Sequence, residues 1–92
     1  MTYRNSMQIM SAVLENVDYA GTEGLGVTQI IRKSNLSHAR LQNLIQNLTG
    51  SGLINKIEFD GKNTFVITEK GILFLEEYEK FNNFANSFGL EL

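Results

Sequence analysis

The first part of the chain carries apolar residues at the spacing of an amphipathic helix. These residues are Met7, Met10, Val13, Leu14 and Val17. Their recurrence every three or four positions predicts a first helix over residues 3–17, with one side turned toward a core. Residues 18–26 contain three glycines and no apolar period. We therefore interpret this segment as a flexible connection between two elements of one domain.

Two further helices are predicted on either side of a turn. The apolar pair Ile30 and Ile31 predicts a short helix from residue 27 or 28 to residue 33, and the turn follows at residues 34–36. A longer helix is predicted over residues 37–49, because apolar residues there follow the spacing i, i+3, i+4, i+7 at Leu41, Leu44, Ile45 and Leu48. Ser37 is its expected N-cap. The glycines at 50 and 52 are expected to end it.

Two segments rich in β-branched and aromatic residues come next, at residues 53–59 and 62–68. Asp60-Gly61 lies between them, and this dipeptide is a strong signal for a two-residue hairpin turn. Such a turn pairs Phe59 with Lys62 and Ile57 with Thr64. The tip of the hairpin, residues 59–64, is expected to project from the domain, and we call it the wing.

A last helix is predicted from residue 69 to about residue 88, with Thr68 as its cap. Aromatic and small residues follow it at spacings of four, three, four and three, at Phe74, Tyr78, Phe81, Ala85 and Phe88. This is a heptad-like seam, so these five residues are the predicted dimer interface, with the first helix as a further candidate for it. Ile72, Leu73 and Leu75 are expected to turn toward the domain.

The order of these elements is typical of a winged helix-turn-helix. The predicted fold class is α+β and mostly helical, with three helices, a β-hairpin wing and a long C-terminal helix. Ninety-two residues with 42% hydrophobic content suit a single domain. Within it we expect a DNA-binding core at residues 1–68 and a dimerisation helix at residues 69–92.

Charge is distributed unevenly along the chain, although the formal net charge is only −2. Residues 1–25 sum to −2, residues 26–62 to +3 and residues 63–92 to −3. The positive third of the chain contains the third helix and most of the wing. Such an asymmetry is typical of a protein that binds nucleic acid, and the small excess predicts modest affinity with strong salt dependence.

Several classes of function are disfavoured by the composition. The chain has no Cys and one His, so we expect no disulfide, no metal site and no cofactor. We also expect no enzyme, because Glu76, Glu77 and Glu79 lie on what the pattern predicts to be a charged helix face. No apolar run approaches the roughly 20 residues of a membrane span, and no signal peptide is recognisable. A soluble, cytoplasmic protein is the expectation.

The polar residues of the third helix are the candidates for reading base edges in DNA. Arg40 is the strongest, because a guanidinium bonded to guanine is the commonest specific contact. Amide side chains are suited to hydrogen-bonding the edge of adenine, and the third helix offers those of Gln42, Asn43 and Gln46. The alternative is that these three are ordinary solvent-exposed helix residues. His38 is suited to a phosphate or base contact, and the alternative is an exposed histidine with no functional role. Phosphate contacts are predicted for Thr28, Arg32, Lys33, Lys62 and Asn63, with a solvated surface as the alternative.

The chain resembles the winged helix-turn-helix transcriptional regulators that are widespread in archaea. The resemblance is carried by Asn35-Leu36-Ser37, by Gly52-Leu53-Ile54 and by Thr68-Glu69-Lys70-Gly71 followed by Phe74-Leu75, and it covers about residues 7–78. The chain is also similar to small archaeal chromatin-type proteins in which a C-terminal helix forms an antiparallel coiled coil. The acidic balance and the shorter last helix favour a local regulator over a chromatin protein.

This resemblance implies DNA binding as a homodimer, through the third helix and the wing. It implies contacts from Ser37, His38, Arg40, Gln42, Asn43, Lys62 and Asn63. The set of predicted DNA contacts, from which Lys33 is left out as a solvated surface residue, is Thr28, Gln29, Arg32, Ser37, His38, Arg40, Gln42, Asn43, Gln46, Lys56, Lys62 and Asn63. Two alternatives stay open: a winged helix that docks onto another protein, and an aromatic ligand cavity between the last helix and the first.

Overall fold

The computed structural model describes residues 6–89, and the chain forms four α-helices and one antiparallel hairpin in this range. The elements are α1 Ser6–Ala20, α2 Val27–Ser34, α3 His38–Gly50, β1 Ile54–Phe59, β2 Lys62–Ile67 and α4 Glu69–Ser87. This order confirms the predicted fold class.

The first helix ends later than its apolar pattern predicts. Residues 18–20, expected in a flexible connection, complete the last turn of α1, and a 3-10 turn follows at Gly21–Glu23. Asp18, Tyr19 and Ala20 contain no helix breaker, whereas Gly21 has φ 69° and leaves the helical region. The prediction that the connection begins at residue 18 was therefore wrong. The predicted helical residues 3–5 lie outside the described residues.

A single cluster of apolar side chains packs between α1, α2, α3 and the hairpin. Its fully buried members are Val13, Leu14, Val17, Ile30, Leu41, Leu48 and Ile54. The apolar stripes of α1 and α3 thus face one another through the core, and the polar surfaces of α3 are left outside.

The hairpin has the predicted register. Phe59 pairs with Lys62, and Ile57 pairs with Thr64. Asp60 and Gly61 have φ values of 53° and 77°, which is the positive-φ pair that a two-residue turn of this kind needs to match the twist of the strands. The turn chemistry therefore fixes both the pairing and the position of the wing.

A short segment before α2 extends the sheet at the base of the wing, and the apolar pattern gave no sign of it. The backbone N–H of Leu25 donates to O of Phe65 at 3.0 Å, and N–H of Phe65 donates to O of Leu25 at 2.9 Å. Thr64 Oγ1 donates to the carbonyl of Glu23 at 2.7 Å. A Cβ on Gly24 would lie 2.6 Å from O of Phe65, so glycine permits this close approach. The wing is thereby tied to the entrance of α2.

The beginning of α4 is tied to the loop that ends α3. Thr68 Oγ1 accepts from N–H of Gly71 at 3.0 Å, as the predicted cap should, and also donates to O of Gly52 at 2.6 Å. Lys70 Nζ donates to O of Ser51 at 2.7 Å. A Cβ on Gly71 would clash with O of Leu53. The Thr-x-Lys-Gly motif thus has a structural role here, which is to hold two elements together.

Candidate nucleic-acid interface

All twelve predicted DNA-contact residues are exposed in the structure. They lie on α2, on α3 and its N-cap, and on the hairpin. Since an exposed side chain is free to meet a partner but need not do so, the arrangement of these residues relative to one another is more informative than their exposure.

The first turn of α3 is organised by its cap. Ser37 has extended backbone angles, with φ −66° and ψ 155°, and its Oγ accepts from the backbone N–H of Arg40 at 3.3 Å. This is the predicted N-cap. It fixes where α3 begins and places His38 and Arg40 in its first turn.

Arg40 and Asn43 lie on the flank of α3 that faces the beginning of α1. They line one groove with Ser6 and Met10 of α1, over an apolar floor that includes Leu44. Asn47 lines the same groove one turn after Asn43. It was not predicted as a contact, although its spacing of four residues from Asn43 places it on the same flank.

His38 and Gln42 lie on the other flank of α3. The Gln42 side-chain amide donates to the His38 ring nitrogen at 3.4 Å, as residues four positions apart on one helix can. At about 100° per residue, Arg40 and Gln42 point to opposite flanks. The surface opposite the buried Leu41 then consists of Ala39, Gln46 and Asn43, and Asn43 also borders the groove between α3 and α1.

The beginning of α2 and the wing enclose the other groove, which we call the wing groove. Its lining residues are Glu23, Gly26, Val27, Thr28, Gln29, Phe59, Asp60, Lys62, Asn63 and Thr64. Four predicted DNA contacts, two from each element, are therefore brought to one place. Gln29 also caps α2, because its Oε1 accepts from the backbone N–H of Gly26 at 3.1 Å.

Lys56, the remaining predicted contact on the hairpin, does not line the wing groove. It pairs with Phe65 in the hairpin, and cross-strand partners project from the same face of a sheet. Lys56 is exposed, but it lies three positions before Phe59 and is separate from the wing tip.

The basic residues of the predicted interface are not neutralised by ion pairs within residues 6–89. In that range the one ion pair joins Lys80 Nζ to Glu77 Oε1 of α4 at 3.5 Å. Arg32, Arg40 and Lys62 therefore keep their charge available for a ligand. Four other carboxylates, those of Glu15, Asp18, Glu76 and Glu79, line a groove between α1 and α4, which we call the α1–α4 groove.

A family model described as "Winged helix-turn-helix" matches residues 3–86 of the chain. The chain belongs to the winged helix-turn-helix family. None of the curated proteins compared with it matches in sequence.

Solved structures agree with this assignment. The winged helix of this chain is similar to Sso10a-2, a DNA-binding protein from Sulfolobus solfataricus, with 25% identity and a TM-score of 0.76 over 92% of this chain and 85% of that one. It shares its fold with SSV1 F-93, with 20% identity and a TM-score of 0.63 over 87% and 91% of the two chains. It also shares its fold with a variant of S. aureus MepR bound to an oligodeoxyribonucleotide, with 18% identity and a TM-score of 0.73 over 91% of this chain and 64% of MepR.

The C-terminal helix of this winged helix exposes a stripe of large apolar side chains, which we call the aromatic stripe. Its members are Leu73, Phe81, Phe84 and Phe88, with exposed fractions of 55%, 58%, 64% and 66%. The expectation that Leu73 turns toward the domain was wrong. Phe84 packs on Phe88, with ring centroids 5.0 Å apart.

Three residues of the predicted dimer seam lie closer to the body of the winged helix. Ala85 is only 4% exposed and is buried within the chain. Phe74 and Tyr78 are half-buried and stack on each other, with centroids 6.4 Å apart. Phe74 also packs against the core. The exposed stripe is therefore rotated about α4 from the predicted seam, because the body already covers the side that carries Phe74, Tyr78 and Ala85.

Two further findings concern other kinds of site. Within residues 6–89 no three His, Asp or Glu side chains are grouped so that they could hold a metal ion. Each helix in the same range is too short or too polar to cross a lipid bilayer.

Proposed function

We propose that this winged helix is a sequence-specific, double-stranded DNA-binding transcriptional regulator that acts as a homodimer. Residues 37–49 enter the major groove, and the wing, residues 59–64, lies on the adjacent backbone or minor groove. The observation that carries the proposal is the surface of α3. It presents Ala39, Asn43 and Gln46 outward and exposes no large apolar side chain, which suits base edges better than a protein partner.

The similarity to Sso10a-2, a DNA-binding protein, supports the same proposal. So does the convergence of α2 and the wing on one groove, because contacts from two elements can hold a phosphate backbone in register while α3 reads the bases. In this division Arg40 and Asn43 contact bases, and Lys62 and Thr28 contact phosphates. The long side chain of Arg40 reaches the base edges on the floor of the DNA major groove from the flank of α3.

The decisive experiment is fluorescence anisotropy with a pool of random duplexes at low and near-physiological salt, followed by selection of the preferred site. We expect salt-sensitive binding. Arg40→Ala should weaken binding to the selected site by roughly 5- to 150-fold, the equivalent of about 1–3 kcal/mol, and should relax base preference. Lys62→Ala should weaken binding to all duplexes alike and reduce the salt slope by about one.

Lys80→Ala is the matched control for Lys62→Ala, because it removes the same charge from α4, away from the proposed interface. Its binding should equal that of the original chain. Equal losses for Arg40→Ala on selected and random duplexes would contradict the base-reading role of Arg40. An absence of binding even at low salt would contradict DNA binding and favour a protein partner, for which the acidic α1–α4 groove is the natural place to look.

For the homodimer, we propose that a second copy of the chain covers the aromatic stripe. Four large apolar side chains, each more than half exposed, lie on one side of α4 and its C-cap, with Glu77 between Leu73 and Phe81, and the burial of such apolar surface favours association. In a two-fold dimer the DNA half-sites would be about one helical turn apart, or a multiple of it.

The oligomeric state tests this interface. Phe84→Glu should convert a dimer into a monomer in sedimentation velocity, because it would bury a carboxylate between two apolar surfaces. Tyr19→Glu is the control, since Tyr19 is 92% exposed on α1 and lies outside the stripe. A dimer that survives Phe84→Glu, or an original chain that is monomeric at high concentration, would disprove the proposed interface.

A further inference from the structure

The wing groove contains two acidic side chains where the proposed function places DNA. Glu23 is the last residue of the 3-10 turn, and Asp60 is the first residue of the wing turn. Both are exposed, and both line the groove with Thr28 and Lys62. Two carboxylates against one ammonium group give the charged lining residues a sum of −1.

Neither carboxylate has an ion-pair partner or a hydrogen-bond donor within the described part of the chain. The one ion pair in residues 6–89 is on α4, and no hydrogen bond to either carboxylate group occurs there. Lys62 lies in the same groove without pairing to Glu23 or Asp60. Each carboxylate is therefore left to interact with whatever approaches the groove.

The fold does not need these charges. Asp60 occupies a positive-φ position of a two-residue turn, which Asn fills at least as well. Glu23 is tied to the wing through its backbone carbonyl, which accepts from Thr64 Oγ1, so its side chain takes no part in that bond. An amide at either position would keep the backbone as it is.

We propose that Glu23 and Asp60 limit the affinity of the wing for the DNA backbone, so that stable binding depends on the base contacts of α3. This inference rests on the proposed DNA binding. A carboxylate beside a phosphate is repelled whatever the base sequence, and the repulsion weakens as salt rises. Since phosphate attraction supplies most non-specific binding, the two acidic groups keep random duplexes weakly bound.

The test compares two doubly substituted chains with the same change in charge. Glu23→Gln with Asp60→Asn removes both carboxylates from the wing groove. Glu15→Gln with Asp18→Asn removes one Glu and one Asp from the α1–α4 groove, away from the proposed DNA surface. Anisotropy with random duplexes is measured for both, and for the original chain, over a range of salt.

We expect the wing-groove variant to bind random duplexes about three- to tenfold more tightly than the original chain at low salt. The slope of log affinity against log salt should steepen by up to about one unit per carboxylate removed. The α1–α4 variant should differ from the original chain by less than about twofold. Circular dichroism of both variants checks that the fold is unchanged.

An equal gain in affinity for random duplexes in the two variants would overturn the inference, because the change in net charge alone would then explain the gain. So would an unchanged affinity in the wing-groove variant of a chain that does bind DNA, and in that case the proposed function stands. If neither the original chain nor the wing-groove variant binds duplex DNA at low salt, the proposed function fails and the inference fails with it.

Discussion

Gly71→Ala should destabilise the chain, although alanine is the better helix former. A Cβ at this position meets the carbonyl of Leu53 and lies 2.6 Å from Cγ1 of Ile67. The carbonyl cannot yield easily, because it accepts from N–H of Thr68 at 3.1 Å. Overpacking of this kind costs about 1–3 kcal/mol, and a shift of α4 would weaken the cap bonds of Thr68 by about 1 kcal/mol more. The gain in helix propensity is at most about 1 kcal/mol.

The net loss in the free energy of unfolding should therefore be about 1–3 kcal/mol, which corresponds to a fall in Tm of about 5–20 °C for a domain of this size. Urea and thermal unfolding followed by circular dichroism, at one fixed protein concentration, would measure it. Gly50→Ala is the control, since this glycine is also helical and a Cβ there meets nothing within 4 Å. It should leave stability unchanged or raise it slightly. A Gly71→Ala chain as stable as Gly50→Ala would refute the reasoning.

Three further substitutions test other parts of the fold by the same unfolding measurements. Thr68→Ala should lower the free energy of unfolding by about 1–2 kcal/mol, because it removes the cap of α4 and the hydrogen bond to Gly52. Thr68→Ser should keep most of the stability, and an equal loss of stability in the two variants would contradict the role of the hydroxyl. Gly61→Ala should cost about 1–2 kcal/mol because of its φ of 77°, and a neutral result would contradict the turn geometry. Leu14→Ala should cost about 2–5 kcal/mol, since Leu14 is fully buried; a loss below 1 kcal/mol would place it outside the core.

Local signals in the sequence were enough to predict the hairpin and α3. Asp60-Gly61 determines its own turn type, and the turn type determines the register of every pair behind it. Ser37 caps the helix that follows it, so the beginning of α3 could be located within one residue. These features depend on neighbours in sequence, which is why single-sequence patterns find them.

Features that depend on distant residues were missed. The pairing of Leu25 with Phe65 joins positions forty residues apart through two backbone bonds, and such a short bridge has no period to detect. The exposed side of α4 was also misplaced, because a heptad-like pattern cannot tell which of its neighbouring stripes the domain body will cover. Leu73 and Phe84, which are exposed, were consequently left out of the predicted seam.

For the candidate site, the sequence predicted which residues are exposed but not which of them meet. Thr28 and Lys62 share a groove only because the Leu25 bridge brings the base of the wing to the entrance of α2. The presence of Glu23 and Asp60 in that groove follows from the same bridge. The separation of Arg40 from Gln42 was, by contrast, already implicit in the helical repeat.

The attachment of α4 to the loop after α3 has a geometric consequence for any dimer formed through the aromatic stripe. Thr68, Lys70 and Gly71 hold the first turn of α4 against residues 51–53, so the stripe has a fixed angular phase relative to α3. One residue inserted between Gly71 and Leu73 would turn the stripe by about 100° and advance it by about 1.5 Å. In the proposed dimer, the second copy would then meet the duplex at a different angle, so the length of this short segment would determine the spacing of the two DNA half-sites.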